Sequence, residues 1–239
     1  MLIGRVAGAD GVRWVRLDEG RTTAVADPFT GVVPPDLGAL VEGVPIAPVD
    51  PVVVVGIAQN GPEHPSPVQA WLKSPRTVVA SGVPVTLRRD AGAQVAEGEI
   101  CVVIAKPTAG LTAENAHEYV LGVTAVNDLS SPDRAASDPR NFESKSGEGY
   151  TPLGPWIDTD AGIDDVALTV EVDGAVVART SSTELPVSIR ECLAYLAAWS
   201  PLGPGDIVMT GAPHSQAPVE PGRTVTIRVA GVELITPLV

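Results

Sequence analysis

Glycine and proline recur every few residues along this chain and cut its apolar residues into runs too short for most helices. There are 24 glycines and 23 prolines among 239 residues, well above the roughly 12% of ordinary usage. Short β-branched runs punctuated in this way predict many strands joined by turns. Leu2–Val6 and Val12–Leu17 flank Gly8-Ala9-Asp10-Gly11, which reads as a hairpin. Val52–Ala58 is a β-branched run of the kind found in buried strands, and Ile100–Ala105 and Tyr119–Val126 repeat the pattern. Leu168–Val172 and Ala175–Ala178 flank Asp173-Gly174, a type I′ turn signal. Two further strands are expected at Thr224–Val229 and Val232–Thr236. One helix stands out, opened by a capping-box spacing from Ser188 to Glu191 and carrying Ile189, Cys192 or Leu193, Leu196 and Trp199 at helical period. A shorter capped helix is expected at Thr112–Ala116. The fold class is therefore α+β, mainly β. Pro45, Pro48 and Pro51 suggest a boundary near Asp50, with a small N-terminal β subdomain over 1–50 and a second domain over 51–239.

The formal net charge of -13 disfavours nucleic acid and anionic lipid as partners. No apolar run approaches the roughly 18 residues of a membrane-spanning helix. The first residues, Met1 to Arg5, lack the basic and apolar parts of a signal peptide. Cys101 and Cys192 each sit in an apolar segment, as reduced core cysteines would. A cytoplasmic location is expected.

The chemistry concentrates at Glu97-Gly98-Glu99, directly before the run Ile100–Ala105. Residues two apart on a strand face the same way, so both carboxylates project together. Asp128 stands at the end of the next apolar run, where a polar stretch opens and continues to Tyr150. Buried carboxylates repel one another, and a divalent cation removes that cost. Three oxygen ligands suit Mg²⁺ or Mn²⁺, at metal–oxygen distances of about 2.0–2.1 Å. On the residues alone, a solvated edge turn with Asp128 capping a loop is the alternative.

From Val52 onward the chain resembles the fumarylacetoacetate hydrolase family. The likeness rests on six stretches in order: Val52–Asn60, Gln69–Ser74, Glu97 with Glu99, Asn127-Asp128, Lys145-Ser146 leading to Pro152–Trp156, and Leu202–Ile207 with Thr210–Pro213. The resemblance implies a mixed β-sandwich roll with a few short helices, a homodimer, and a Mg²⁺ or Mn²⁺ ion at Glu97, Glu99 and Asp128. It makes Lys145 the active-site lysine and places Thr210 near the substrate carboxylate. Lys73 matches as well, with a scaffold role expected.

Two departures from the family pattern shape the functional expectation. Pro132 occupies the place of a substrate-facing arginine, with Arg134 two residues on as a substitute. Gln59 stands where a related subgroup carries the histidine that activates water, and glutamine does not take up a proton at neutral pH. Glu63 with His64 is a candidate displaced pair, and His214, after Thr-Gly-Ala-Pro, is a further candidate near substrate. The leading expectation is a metal-dependent enzyme that hydrolyses a C–C bond in an acylpyruvate-like 2-oxo or 2,4-dioxo carboxylic acid. A decarboxylase or keto–enol isomerase on the same scaffold is the alternative, and a non-catalytic metal- or ligand-binding descendant is a second.

Overall fold

The computed structural model describes residues 1–239. The chain opens with an antiparallel meander of β1 (Leu2–Gly8), β2 (Gly11–Asp18) and β3 (Arg21–Ala24), followed by the two-residue β4 (Val44–Pro45). β5 (Val54–Gln59) and β6 (Val68–Lys73) form a hairpin, and β7 (Val78–Ala80) follows. β8 (Gln94–Ile104) and β9 (Val120–Asn127) are the antiparallel centre. Two single-turn helices, α1 (Pro132–Ala135) and α2 (Phe142–Lys145), lie in the polar stretch that the sequence leaves without periodicity. β10 (Thr151–Leu153), β11 (Trp156–Asp158), β12 (Ala167–Val172) and β13 (Ala175–Ser181) precede α3 (Ile189–Trp199). β14 (Ile207–Met209), β15 (Gln216–Val219), β16 (Thr224–Val229) and β17 (Val232–Pro237) complete the chain.

The main path of the large sheet runs β3, β2, β1, β11, β9, β8, β14, β5, β6, and a second sheet runs β13, β12, β16, β17. The smaller sheet packs on one face of the larger, so Leu168, Val170 and Ile227 meet Ile100, Val102 and Ile104 in the larger hydrophobic core. On the opposite face, Cys101 and Val103 join Ile3, Val54, Ile157 and Met209 in a second core. β8 is thus buried on both faces, which explains its unbroken apolar run. The N-terminal meander joins the same sheet through β1 and β11. α3 contributes Ile189, Cys192, Leu193 and Leu196 to the larger core. Its capping box is present, with Ser188 and Glu191 exchanging side-chain-to-backbone bonds. Asp173 and Gly174 both take positive φ, 50° and 78°, as a type I′ turn requires. No helix is long and apolar enough to cross a membrane.

Several expectations shift. The turn expected as a helix at Thr112–Ala116 is a 3₁₀ turn at Ala116–Tyr119. Asn115 takes over the earlier residues, accepting the Thr112 N–H at 2.7 Å and donating to the Gly110 carbonyl at 3.0 Å. Val52 is exposed and precedes β5, because its N–H and that of Val53 are held by the Asp206 carboxylate rather than by a neighbouring strand. β8 starts at Gln94, so Glu97 and Glu99 lie inside the strand rather than ahead of it. Trp199 falls outside the buried stripe of α3 and is 80% exposed.

Candidate active site

Alternation along β8 sets the site. Glu97 and Glu99 continue the row of Cys101 and Val103, on the face of the smaller core. β9 runs antiparallel beside it with Gly98 opposite Asn127, which delivers Asp128 to the same end. Ligand oxygens of Glu97, Glu99 and Asp128 all lie within 4.8 Å of one another. The Asn127 side chain accepts the Glu97 N–H at 3.2 Å, and the Asp128 N–H donates to the Glu97 carbonyl at 2.8 Å.

Two lysines close on these carboxylates. Lys145, at the end of α2, donates to Glu97 Oε2 at 2.5 Å and Asp128 Oδ2 at 2.7 Å. Lys73, at the end of β6, is fully buried, pairs with Asp128 Oδ1 and donates to the Tyr150 carbonyl at 2.6 Å. Burial alone would raise the Asp128 carboxyl, but the ammonium groups of Lys145 and Lys73 outweigh it and hold it below its ordinary value. Burial likewise opposes the charge of Lys145, yet Asp128, Glu97 and Glu99 raise it above the usual lysine value. Lys73 is lowered, because the cost of full burial exceeds what Asp128 returns. Glu97 is raised by burial despite Lys145.

Glu99 is the exception. Its only polar contact is the Gly211 N–H, which donates to Oε2 at 2.6 Å. Burial, then the charges of Asp128 and Glu97, push its carboxyl well above its ordinary value. Three carboxyl groups against two ammonium groups leave Glu99 with no cation of its own, and its charged form is the one that the surroundings disfavour. A hard divalent cation is the partner that an all-carboxylate set of this kind fits. Gly211 has φ +91°, and a Cβ there would lie 2.8 Å from the Ile57 carbonyl oxygen. Only glycine brings this N–H against Glu99 without strain.

Glu97, Glu99 and Lys145 line a cavity of about 310 Å³, with Asp128 buried behind them and Asn60, Trp71, Pro132, Ala135, Asn141 and Gln216 among the other walls. Trp71 lies over Gly56, where any side chain would collide with the indole, and its ring is 5.3 Å from the Lys145 ammonium. Gln216 sits opposite Glu97 on β15 and donates weakly to Oε1 at 3.4 Å.

The remaining sequence candidates have other surroundings. Gln59 borders the cavity, but both ends of its amide are bound: Nε2 donates to the Thr210 carbonyl at 2.9 Å and Oε1 accepts the Val187 N–H at 3.0 Å. Glu63 and His64 are exposed, and the His64 ring engages the backbone of Ser66. Thr210 is buried with its hydroxyl donating to the Ile100 carbonyl at 2.9 Å, away from this cavity. His214 is exposed and borders a small crevice beside Leu168 and Thr180, apart from the triad. Arg134 donates to the Asp90 carbonyl at 2.5 Å and pairs with Glu143 at 3.7 Å, so its guanidinium is directed away from the triad.

Asn60, Asn141 and Gln216 were not singled out from the sequence, because an isolated amide carries no local signal. The central position of Lys73 had a partial one: only three lysines occur in the chain, and this one ends an apolar strand.

Residues 47–239 match the family described as fumarylacetoacetate (FAA) hydrolase C-terminal. The crystal structure of a 5-carboxymethyl-2-hydroxymuconate delta-isomerase from Mycobacterium smegmatis has TM-score 0.86 and 33% identity, covering 100% of this chain and 99% of that one. Protein Rv2993c of Mycobacterium tuberculosis is 30% identical over 260 residues, 99% of this chain and 97% of its own length. A 4-hydroxyphenylacetate degradation bifunctional isomerase/decarboxylase of Salmonella dublin is 36% identical over 140 residues, 57% of this chain and 33% of its own.

Proposed function

The chain belongs to the fumarylacetoacetate hydrolase family, and from that membership we propose a divalent-metal-dependent enzyme that forms the enolate of a small 2-oxo carboxylic acid without activating a water. The carrying observation is the cavity lining. Apart from Glu97, Glu99 and Lys145, no side chain in it is an acid or a base. Hydrolysis of a C–C bond needs a base to take a proton from water. Gln59, bound at both ends of its amide, is not that base, and the histidines are elsewhere. Decarboxylation leaves the electron pair of the broken C–C bond on the enolate and takes no proton from water, which supports it over hydrolysis; keto–enol isomerisation needs a proton acceptor at C3, for which the lining offers only the carboxylates Glu97 and Glu99. The relatives named as isomerase and isomerase/decarboxylase belong to the same chemical class.

Glu97, Glu99 and Asp128 would hold Mg²⁺ or Mn²⁺, which when bound supplies Lewis-acid charge for the enolate oxygen. Lys145 keeps Glu97 and Asp128 in register and adds positive charge at the end of the site that faces the cavity. Lys73 fixes the other oxygen of Asp128, and the Gly211 N–H fixes Glu99. Pro132 and Ala135 of α1 line the same cavity.

The test sets CO₂ release from oxaloacetate against hydrolysis of acetylpyruvate, with Mg²⁺ or Mn²⁺ and with Glu99→Gln as control. Metal-dependent CO₂ release, lost in the variant, is expected without hydrolysis. Metal-dependent hydrolysis of acetylpyruvate would overturn the reading.

A further inference from the structure

The cavity lining beyond Glu97, Glu99 and Lys145 has a chemical character of its own. Its wall is made of Asn60, Trp71, Pro132, Ala135, Asn141 and Gln216, none of them charged. The Asn60 amide is tied to the Ser66 carbonyl at 2.9 Å, and Asn141 Oδ1 accepts from the Ser144 hydroxyl at 3.3 Å. Such a wall can meet an apolar or a neutral polar group, but it has no charge to offer.

Three of the four basic side chains nearby are engaged elsewhere, and the fourth, Arg140, lies outside the cavity lining. Lys145, the one cation in the lining, is held between Glu97 and Asp128. Lys73 is fully buried against Asp128. Arg134 turns to Asp90 and Glu143. Arg140 borders the adjoining groove, where Asp138 and Glu143 also stand.

We infer that the part of the substrate beyond its fourth carbon is uncharged, and that this enzyme discriminates against 2-oxo acids carrying a remote second carboxylate. The inference rests on the reading of the triad as the end that holds the 2-oxo acid. A carboxylate carried into this wall would lose its hydration and find amide groups but no cation, whereas a methyl group at the same place loses nothing and buries apolar surface. The net charge of -13 adds a long-range term of the same sign, since it opposes each further negative charge on an approaching ligand.

Two five-carbon acids isolate the effect: 2-oxopentanoate ends in a methyl group and 2-oxoglutarate in a carboxylate. Their dissociation constants, measured with Mg²⁺-loaded protein at fixed ionic strength, are compared with that of pyruvate, which presents the chelating end alone. We expect 2-oxopentanoate to bind at least as tightly as pyruvate and 2-oxoglutarate at least ~10-fold more weakly than 2-oxopentanoate. If pyruvate fails to bind, the 2-oxo acid reading falls and the inference falls with it. If pyruvate binds but the other two follow any different order, only the inference falls. A preference for 2-oxoglutarate that disappears in Arg140→Gln would place the remote carboxylate in the adjoining groove instead. Conversely, Ala135→Arg puts a cation into the wall and should shift the ratio of the two constants toward 2-oxoglutarate by at least ~10-fold. An unchanged ratio in a variant that still binds Mg²⁺ would overturn the inference.

Discussion

The charged cluster and the rest of the cavity lining are built on opposite plans. At the triad, Asp128 has both oxygens bound by ammonium groups, and Glu97 and Glu99 are fixed by Lys145 and by a backbone N–H. Elsewhere in the lining the side chains are amides, an indole and small apolar groups: Asn60 is tied to the Ser66 carbonyl, Asn141 to the Ser144 hydroxyl, and Gln216 reaches Glu97 only weakly. The first spends stability to hold charges at fixed spacing. The second has no ionic network to maintain, so it can change without cost to the fold. Chemistry and selectivity are thereby assigned to different residues.

The sharpest way to break this contrast is Asp128→Asn, which leaves two buried ammonium groups short of a partner. A loss of about 3–5 kcal/mol is expected in urea unfolding, together with loss of metal binding by calorimetry. A loss below about 1 kcal/mol would mean that the charges are not tightly coupled. Gly56→Ala probes the boundary between the two, because the new methyl meets the Trp71 indole. It should cost about 1–3 kcal/mol and alter tryptophan fluorescence. Gln59→Ala should cost about 1–3 kcal/mol, since it frees the Val187 and Thr210 backbone groups, while metal affinity stays the same. A change in metal affinity with no change in stability would give Gln59 a part in the chemistry instead. Gln216→Ala in the uncharged lining should alter stability by no more than about 0.5 kcal/mol. The smallest effect is expected from His64→Ala and His214→Ala, with turnover within about 2-fold of the parent; a large drop in either would return a base to the site.

The sequence makes the triad legible for a simple reason. The two-residue period of a strand places Glu97 and Glu99 on one face wherever the strand begins, so the early start of β8 at Gln94 did not matter. The Asp173-Gly174 turn and the Ser188 capping box were readable because each is complete within a few neighbouring residues. Side-chain direction at strand ends is a different matter. Thr210 belongs to a recognisable motif, yet whether its hydroxyl faces the cavity or the Ile100 carbonyl depends on how β14 meets β8. The Pro-rich segment around His64 folds onto Ser66, a local outcome that the residues Glu63 and His64 do not announce. The cavity wall is less legible still, because Asn60, Asn141 and Gln216 come from three separate segments that meet only in the folded chain.

β8 lies between two hydrophobic cores and is bonded over most of its length to β9, with β14 and β15 on its other side. Its amides should therefore be among the last to exchange with deuterated solvent, at a rate set by global rather than local opening. Because Glu97 and Glu99 ride on that segment, partial openings at the meander, at α1 or around the uncharged lining leave their spacing intact. The carboxylates lose their arrangement only when the whole molecule unfolds.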